Sequence, residues 1–193
     1  MIVFRSRSGH WVLLTTLTMC VLATATGPRA VELDSAFPPT KLVLVDLCVI
    51  VTATLLAILT RPRFWEWDRI APGARPHVVA GVVAAVTIGL SVLCVPAVVP
   101  WLPAGASWTW VLANALVLSA TVHLAAALSA PLLAGALTLA LWFAAGVTAN
   151  LAPHVWLPLA YYRDPDGRWG VAALLVVLAV AVHAVTCGRE VES

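Results

Sequence analysis

The sequence carries very little charge. Of its 193 residues, 10% are Asp, Glu, Lys or Arg and 62% are hydrophobic, whereas charged residues make up about 25% of ordinary soluble domains. This composition excludes a soluble globular domain and indicates a polytopic membrane protein. The formal net charge of +2 is too small to indicate a nucleic-acid partner, so we expect none.

The sequence also lacks the short motifs of familiar enzymes. It contains no phosphate-binding glycine loop with its lysine, no HExxH, no GxSxG and no CxxC. We therefore expect no catalytic residues, metal or cofactor, and any energised work must be driven by a partner. The cysteines, which lie in or at the end of apolar runs, are interpreted as small buried side chains: Cys20, Cys48, Cys94 and Cys187.

Long apolar runs are what the sequence has instead. They predict one all-α domain over residues 1–193, a membrane bundle of six transmembrane helices. The first run leaves an alternative open, because Arg5 and Arg7 precede it and a small-residue stretch near residue 25 resembles the cleavage site of a signal peptide. We favour an uncleaved span. The predicted spans cover about residues 10–26, 41–60, 77–99, 107–128, 131–149 and 170–187.

Two connections between these spans have informative composition. Residues 27–40 are polar and end in prolines, so they are predicted to form an external loop. Leu151–Ala160 is too apolar for a solvated loop, yet too short and too rich in proline to cross a bilayer. We interpret it as a re-entrant or interfacial segment before the last span.

The basic residues predict the orientation. With six spans and an internal N-terminus, seven arginines fall inside and four basic residues outside, so both termini are expected to be cytoplasmic and the chain to lie in the cell membrane. The inner set is Arg5, Arg7, Arg61, Arg63, Arg69, Arg75 and Arg189, and the outer set is Arg29, Lys41, Arg163 and Arg168.

Four polar residues inside the spans are candidate functional residues. Asp46 is an intramembrane carboxylate and so a candidate by default, although near the end of its span it can simply reach interfacial water. Ser119 and His123 lie on one stripe of the fourth span, which is expected to face the bundle interior, and His183 lies in the last span. Histidines from two helices can ligate haem, but we favour hydrogen bonding across the bundle.

Small residues at four-residue spacing predict where helices approach closely. We call each such row of small residues a seam, and we expect the seam of the third span to pack within the chain. The predicted seams are Gly81, Ala85 and Gly89 in the third span, and Ala136, Ala140, Ala144 and Thr148 in the fifth.

The charged segment Arg61–Pro76 separates the second and third spans. Its interior can form a short amphipathic helix, with Phe64 and Trp67 on an apolar face and Glu66 and Arg69 on another. Such a helix would lie on the membrane surface and be available to a soluble partner. The simpler alternative is that its aromatic residues only anchor the loop among lipid headgroups.

This layout resembles the permease subunit of ABC exporters of the ABC-2 type, particularly the compact permeases of actinobacteria. The resemblance rests on six spans with both ends inside, the charged segment Arg61–Pro76 and the apolar segment Leu151–Ala160. It implies that the charged segment is a coupling helix that docks on a soluble ATP-binding subunit through Phe64, Glu66, Trp67 and Arg69. It also implies a homo- or heterodimer in the lipid bilayer, with the second segment closing the outer mouth.

Two other classes of function remain open. One is a non-catalytic accessory or assembly protein of the membrane, for which a poorly polar interior is no handicap. The other is a membrane redox or lipid-modifying enzyme. An enzyme should bring polar groups together at one depth, and the histidines alone offer that.

Overall fold

The computed structural model describes residues 9–26, 30–33, 40–60, 75–101, 108–152, 155–159 and 168–186. Over these residues the chain forms a bundle of apolar helices with one small hairpin. The helices are α1 (Gly9–Thr26), α2 (Leu44–Leu59), α3 (Arg75–Val92), α4 (Cys94–Val98), α5 (Trp108–Ala126), α6 (Pro131–Leu151) and α7 (Trp169–Thr186), and the strands are β1 (Ala30–Leu33) and β2 (Thr40–Val43).

The predicted all-α polytopic membrane bundle is confirmed. Among the described residues, five helical stretches are long and apolar enough to cross a membrane: α1, the stretch Pro76–Trp101 that contains α3 and α4, α5, α6 and α7. The remaining predicted span corresponds to α2, which is equally apolar but has 16 residues. At about 1.5 Å per residue it is about 24 Å long, shorter than a hydrocarbon core of about 30 Å.

Proline sets two of the helix boundaries. Pro96 has no N–H to donate to the carbonyl of Val92, so the helix is interrupted between α3 and α4, where the Leu93 amide donates to Leu90 instead at 3.2 Å. Pro131 occupies the first turn of α6, after Ala130 in an extended conformation. A proline is favourable there because its missing N–H has no partner within a helix.

A hairpin corrects the expected external loop. β1 pairs antiparallel with β2, and the register places Glu32 opposite Lys41. Because residues 40–43 belong to a strand, α2 begins at Leu44, three residues later than the predicted span. The loop prediction for residues 27–40 is therefore wrong for β1 and for Thr40, while residues 27–29 and 34–39 lie outside the described residues.

Contacts between distant residues establish how the helices run. His77, near the start of α3, bonds to the carbonyl of Ala184 near the end of α7, and Gly135, near the start of α6, packs on Thr54 near the end of α2. The end of α1 meets the start of α2 through Thr26. The starts of α1, α3 and α6 and the ends of α2, α5 and α7 thus share one end of the bundle, called here the amino-terminal end.

Of the two predicted small-residue seams, the one in α3 is confirmed in part by the helix packing. Gly81 packs within the chain, since a Cβ there would lie 3.5 Å from Ala184 Cβ, but Ala85 and Gly89 are exposed. In α6 the predicted seam is wrong, because Ala136, Ala140 and Ala144 are exposed. The buried face of α6 consists instead of Pro131, Ala134, Gly135, Thr138, Trp142, Gly146 and Asn150.

Candidate functional site

Helix α5 carries a polar stripe on its buried face. Ala115, Ser119, His123 and Ala127 are spaced by four residues and all are buried, which confirms that this stripe faces the interior. Helices α3 and α7 pack around this stripe. Ile88 of α3, Ala120 of α5 and Ala179 of α7 form a small apolar cluster there. Small side chains at this contact let the three helices approach closely. Their polar side chains are therefore held near one another.

A serine pair joins α3 to α5. Ser91 Oγ lies 2.6 Å from Ser119 Oγ, and both side chains are fully buried. Ser91 Oγ also donates to the carbonyl of Ile88 at 2.8 Å. Since a hydroxyl has one hydrogen, Ser119 must donate to Ser91. This bond satisfies two buried hydroxyls across a helix contact.

A histidine pair joins α5 to α7. The ring centres of His123 and His183 lie 6.1 Å apart with the planes tilted by 50°. In each ring Nδ1 bonds to the carbonyl four residues earlier, Ser119 O at 2.9 Å and Ala179 O at 3.1 Å. His123 is 1% exposed, and its Nε2 has no hydrogen-bond partner among the described residues.

A third histidine joins α3 to α7 at the amino-terminal end of the bundle. His77 Nδ1 lies 2.7 Å from the carbonyl oxygen of Ala184, one residue after His183. Carbonyls in the last turn of a helix have no partner within the helix, so this bond satisfies one of them. We call the set Ser91, Ser119, His123, His183 and His77 the serine–histidine seam.

Asp46 lies in a different part of the bundle. It is 4% exposed, and Trp142 Nε1 of α6 donates to its Oδ2 at 3.2 Å. The expectation that Asp46 reaches interfacial water is therefore wrong. Its position in the first turn of α2 places it near the positive end of the helix dipole. Its Oδ1 is buried and has no hydrogen-bond partner among the described residues.

Threonine hydroxyls contact two of the cysteines. Cys48 Sγ lies 3.7 Å from Thr26 Oγ1, and Cys94 Sγ lies 3.6 Å from Thr52 Oγ1. Cys48 and Cys94 belong to the apolar core, and Cys20 packs against it. These thiols behave as small core side chains with weak hydrogen bonds. Cys187 lies outside the described residues.

The structure thus brings three of the four intramembrane candidates together. Ser119, His123 and His183 belong to the serine–histidine seam, whereas Asp46 pairs separately with Trp142. The candidate coupling residues lie outside the described residues, which resume at position 75 after position 60, so their role stays a prediction. They are Phe64, Glu66, Trp67 and Arg69.

Sequence reasoning missed Ser91 and Trp142. Ser91 follows Thr87 by four residues in an otherwise apolar span, and that spacing is a signal for a buried polar face. Trp142 lies in the middle of its span, away from the membrane interfaces where tryptophan is common. A mid-span indole needs a partner for its N–H, so a search for an acceptor would have pointed to Asp46.

The segment between α6 and α7 has no regular helix in its described part, residues 155–159. Leu159 is buried in the main core, while Trp156 is exposed. The guanidinium carbon of Arg168 lies 5.4 Å from the Trp156 ring centre, a cation–π contact. The segment is thus attached to the bundle at one residue and to the start of α7 at another.

Comparisons with known proteins supply no further constraint: no protein-family model, no curated protein and no solved structure matches this chain.

Proposed function

We propose that this membrane protein is the permease subunit of an exporter of the ABC-2 type, driven by a separate ATPase subunit. The observation that carries the proposal is the arrangement of helix ends. The end of α2 and the start of α3 share the amino-terminal end of the bundle with the start of α1 and the end of α7. Both attachment points of the segment 61–74 therefore lie at the end that the sequence predicts to carry seven of the eleven basic residues.

That arrangement supports a coupling role for the segment. The arginine count predicts that this end faces the cytoplasm, where ATP is available. Two tryptophans and a phenylalanine within four residues, 64–67, offer rigid anchors, and aromatic and arginine side chains dominate the energetics of protein interfaces. A soluble partner would meet this segment without contacting lipid.

The outer surface of the bundle is compatible with a dimeric permease. Helices α1, α6 and α7 bury little of their surface inside this chain. Their exposed side chains include Leu17, Leu132, Leu141, Phe143 and Val177. Such surfaces can contact lipid or a second subunit, as a homo- or heterodimer requires.

The test is capture of the ATPase. Tagged protein purified from membranes of the native host should bring down a soluble protein with a phosphate-binding lysine loop and ATPase activity. The variant Glu66→Ala with Trp67→Ala should lose it, since removing one interface anchor costs about 2 kcal/mol or more, roughly thirtyfold in affinity. Membrane insertion should be unchanged because neither residue lies in a span.

The matched control is Glu32→Ala with Trp101→Ala. It removes the same two residue types from the opposite end of the bundle, where Trp101 is 64% exposed. The control should retain the ATPase. If the wild-type protein captures no ATPase, the permease proposal is wrong.

A second candidate is an accessory membrane protein that assembles with another complex. The packing of the seam favours it over an enzyme: Ser119 Oγ bonds to Ser91, and His123 Nδ1 bonds to a carbonyl. No hydroxyl–imidazole hydrogen bond, which nucleophilic catalysis by serine needs, is found within the seam. Co-purification with an integral membrane complex that lacks an ATPase would support this candidate.

A further inference from the structure

The hydrogen bonds of His123 and His183 determine which ring nitrogens are free. A carbonyl oxygen can only accept, so Nδ1 carries the hydrogen in both rings. In the neutral imidazole, Nε2 then has a lone pair and no hydrogen. His123 Nε2 is buried and has no partner among the described residues, so the structure leaves an unsatisfied acceptor inside the bundle.

This hydrogen-bonding pattern is typical of metal-binding histidines. A coordinating histidine nearly always donates its other ring N–H to a carbonyl, a carboxylate or water, which fixes the tautomer and orients the ring. His123 and His183 both do so, from different helices. Each ring is therefore oriented in advance, and no side-chain rearrangement is needed to free its Nε2.

The distance between the rings fits one bridging ion. In a linear site with both Nε2 atoms turned towards the ion, metal–nitrogen bonds of about 2.0 Å place the two nitrogens about 4 Å apart, and adding one ring radius on each side gives ring centres about 6 Å apart. The ring centres of His123 and His183 are 6.1 Å apart, which is the separation that such a site needs. A haem would need a slot as wide as its macrocycle, but Ala120 and Ala179 pack against each other one turn away and close that space.

The number of ligands selects the ion. In the part of the chain that the structure describes, no three side chains of His, Cys, Asp or Glu come together to hold a metal. Zn²⁺ sites in proteins use three or four side-chain ligands, whereas the d¹⁰ ion Cu⁺ also forms linear two-coordinate complexes with nitrogen donors, and imidazole is a suitable ligand for copper. A single positive charge also costs less to bury than a double one.

We propose that His123 and His183 form a two-coordinate binding site for Cu⁺ between α5 and α7. The site lies at the amino-terminal end of the bundle. If that end is cytoplasmic, as the arginines predict, the reducing surroundings keep copper monovalent. The proposal does not depend on an ATPase partner, because both ligands belong to this chain.

The experiment is a Cu⁺ titration of the purified full-length chain. Thiols bind Cu⁺ strongly, so the titration uses protein in which all four cysteines are replaced by alanine, under anaerobic reducing conditions and against a chromogenic Cu⁺ chelator. We expect one equivalent of bound copper. His123→Gln and His183→Gln should each weaken binding by more than about tenfold, and the matched control His10→Gln, at an exposed position of α1 outside the seam, should bind like the parent.

X-ray absorption at the copper edge provides the second measurement. It uses wild-type protein, so it remains decisive if the cysteine-free chain does not fold. Two nitrogen neighbours at about 2 Å, lost in His123→Gln, support the site. The absence of nitrogen neighbours that are lost in His123→Gln, binding unchanged in both histidine variants, or no binding at all would overturn it.

Discussion

Replacing Gly135 with alanine tests the contact between α2 and α6. A Cβ at position 135 would lie 2.8 Å from Thr54 Cγ2 and 3.1 Å from Thr54 Cβ, and it would also collide with Thr54 Oγ1. Thr54 cannot easily rotate away, because its hydroxyl donates to the carbonyl of Ile50 at 2.8 Å and its Cβ is fixed by the backbone. The two helices must therefore move apart.

The expected magnitude is a balance of two effects. Overpacking a close contact costs about 1–3 kcal/mol, while alanine in place of glycine favours a helix by about 1 kcal/mol. The net expectation is a loss of about 0–2 kcal/mol relative to the parent. Relative to another glycine-to-alanine change in a helix the loss is about 1–3 kcal/mol, or roughly 2–12 °C in melting temperature for a chain of this size. Intrinsic tryptophan fluorescence in detergent can follow the unfolding transition.

Gly89→Ala is the matched control, since nothing lies within 4 Å of a Cβ built there. It should be neutral or slightly stabilising. Adding Thr54→Ala to Gly135→Ala removes the two closest colliding atoms and should recover most of the loss. If Gly135→Ala melts at the same temperature as Gly89→Ala, the packing of α6 on α2 through this face is wrong.

Two further predictions concern orientation and the buried carboxyl group. Reporter fusions at residues 35, 70, 104 and 160 should read outside, inside, outside and outside; a cytoplasmic signal at residue 35, or a mature chain beginning near residue 26, would contradict six spans with internal termini. Trp142→Phe should destabilise the protein by about 0.6–1.7 kcal/mol, because it removes the hydrogen bond to Asp46. Adding Asp46→Leu to Trp142→Phe should restore stability in the same melting assay, since no polar group is then left unsatisfied; a double variant that is less stable than the single one would refute this.

The positions of the helices were predictable from the sequence because they depend on length and composition. An apolar run of about 20 residues can satisfy its backbone hydrogen bonds in a membrane by forming a helix. The predicted start at residue 131 coincides with the start of α6, since Pro131 favours the first turn. Local chemistry thus determined this boundary, with no knowledge of the neighbouring helices.

The hairpin could not be predicted in the same way. Each of its strands has four residues, too few for an alternating pattern to stand out from a polar loop. Its register pairs Glu32 with Lys41, which are nine residues apart in sequence. The sequence alone does not identify these two residues as partners. A non-local contact therefore determined where α2 begins.

The serine–histidine seam could be predicted from the sequence only in part. The four-residue spacing of Ser119 and His123 predicts a buried face of α5, and the structure confirms it. The spacing does not determine which helix supplies the partners, because Ser91 and His183 come from spans elsewhere in the chain. Polar residues inside a span therefore indicate that a helix contact exists, while the partner depends on tertiary packing.

The buried face of α6 explains why one seam prediction failed. Both candidate faces offer small residues: alanines at four-residue spacing, 136, 140 and 144, on one face, and glycines at 135 and 146, about three turns apart, on the other. Lipid tails are as apolar as a protein core, so hydrophobicity cannot choose between these faces. The glycine face is buried because it allows the closer backbone approach seen at Thr54 and because it carries Trp142, whose N–H must meet Asp46. In a membrane helix, the smallest side chains together with the polar ones therefore indicate the buried face better than a row of alanines does.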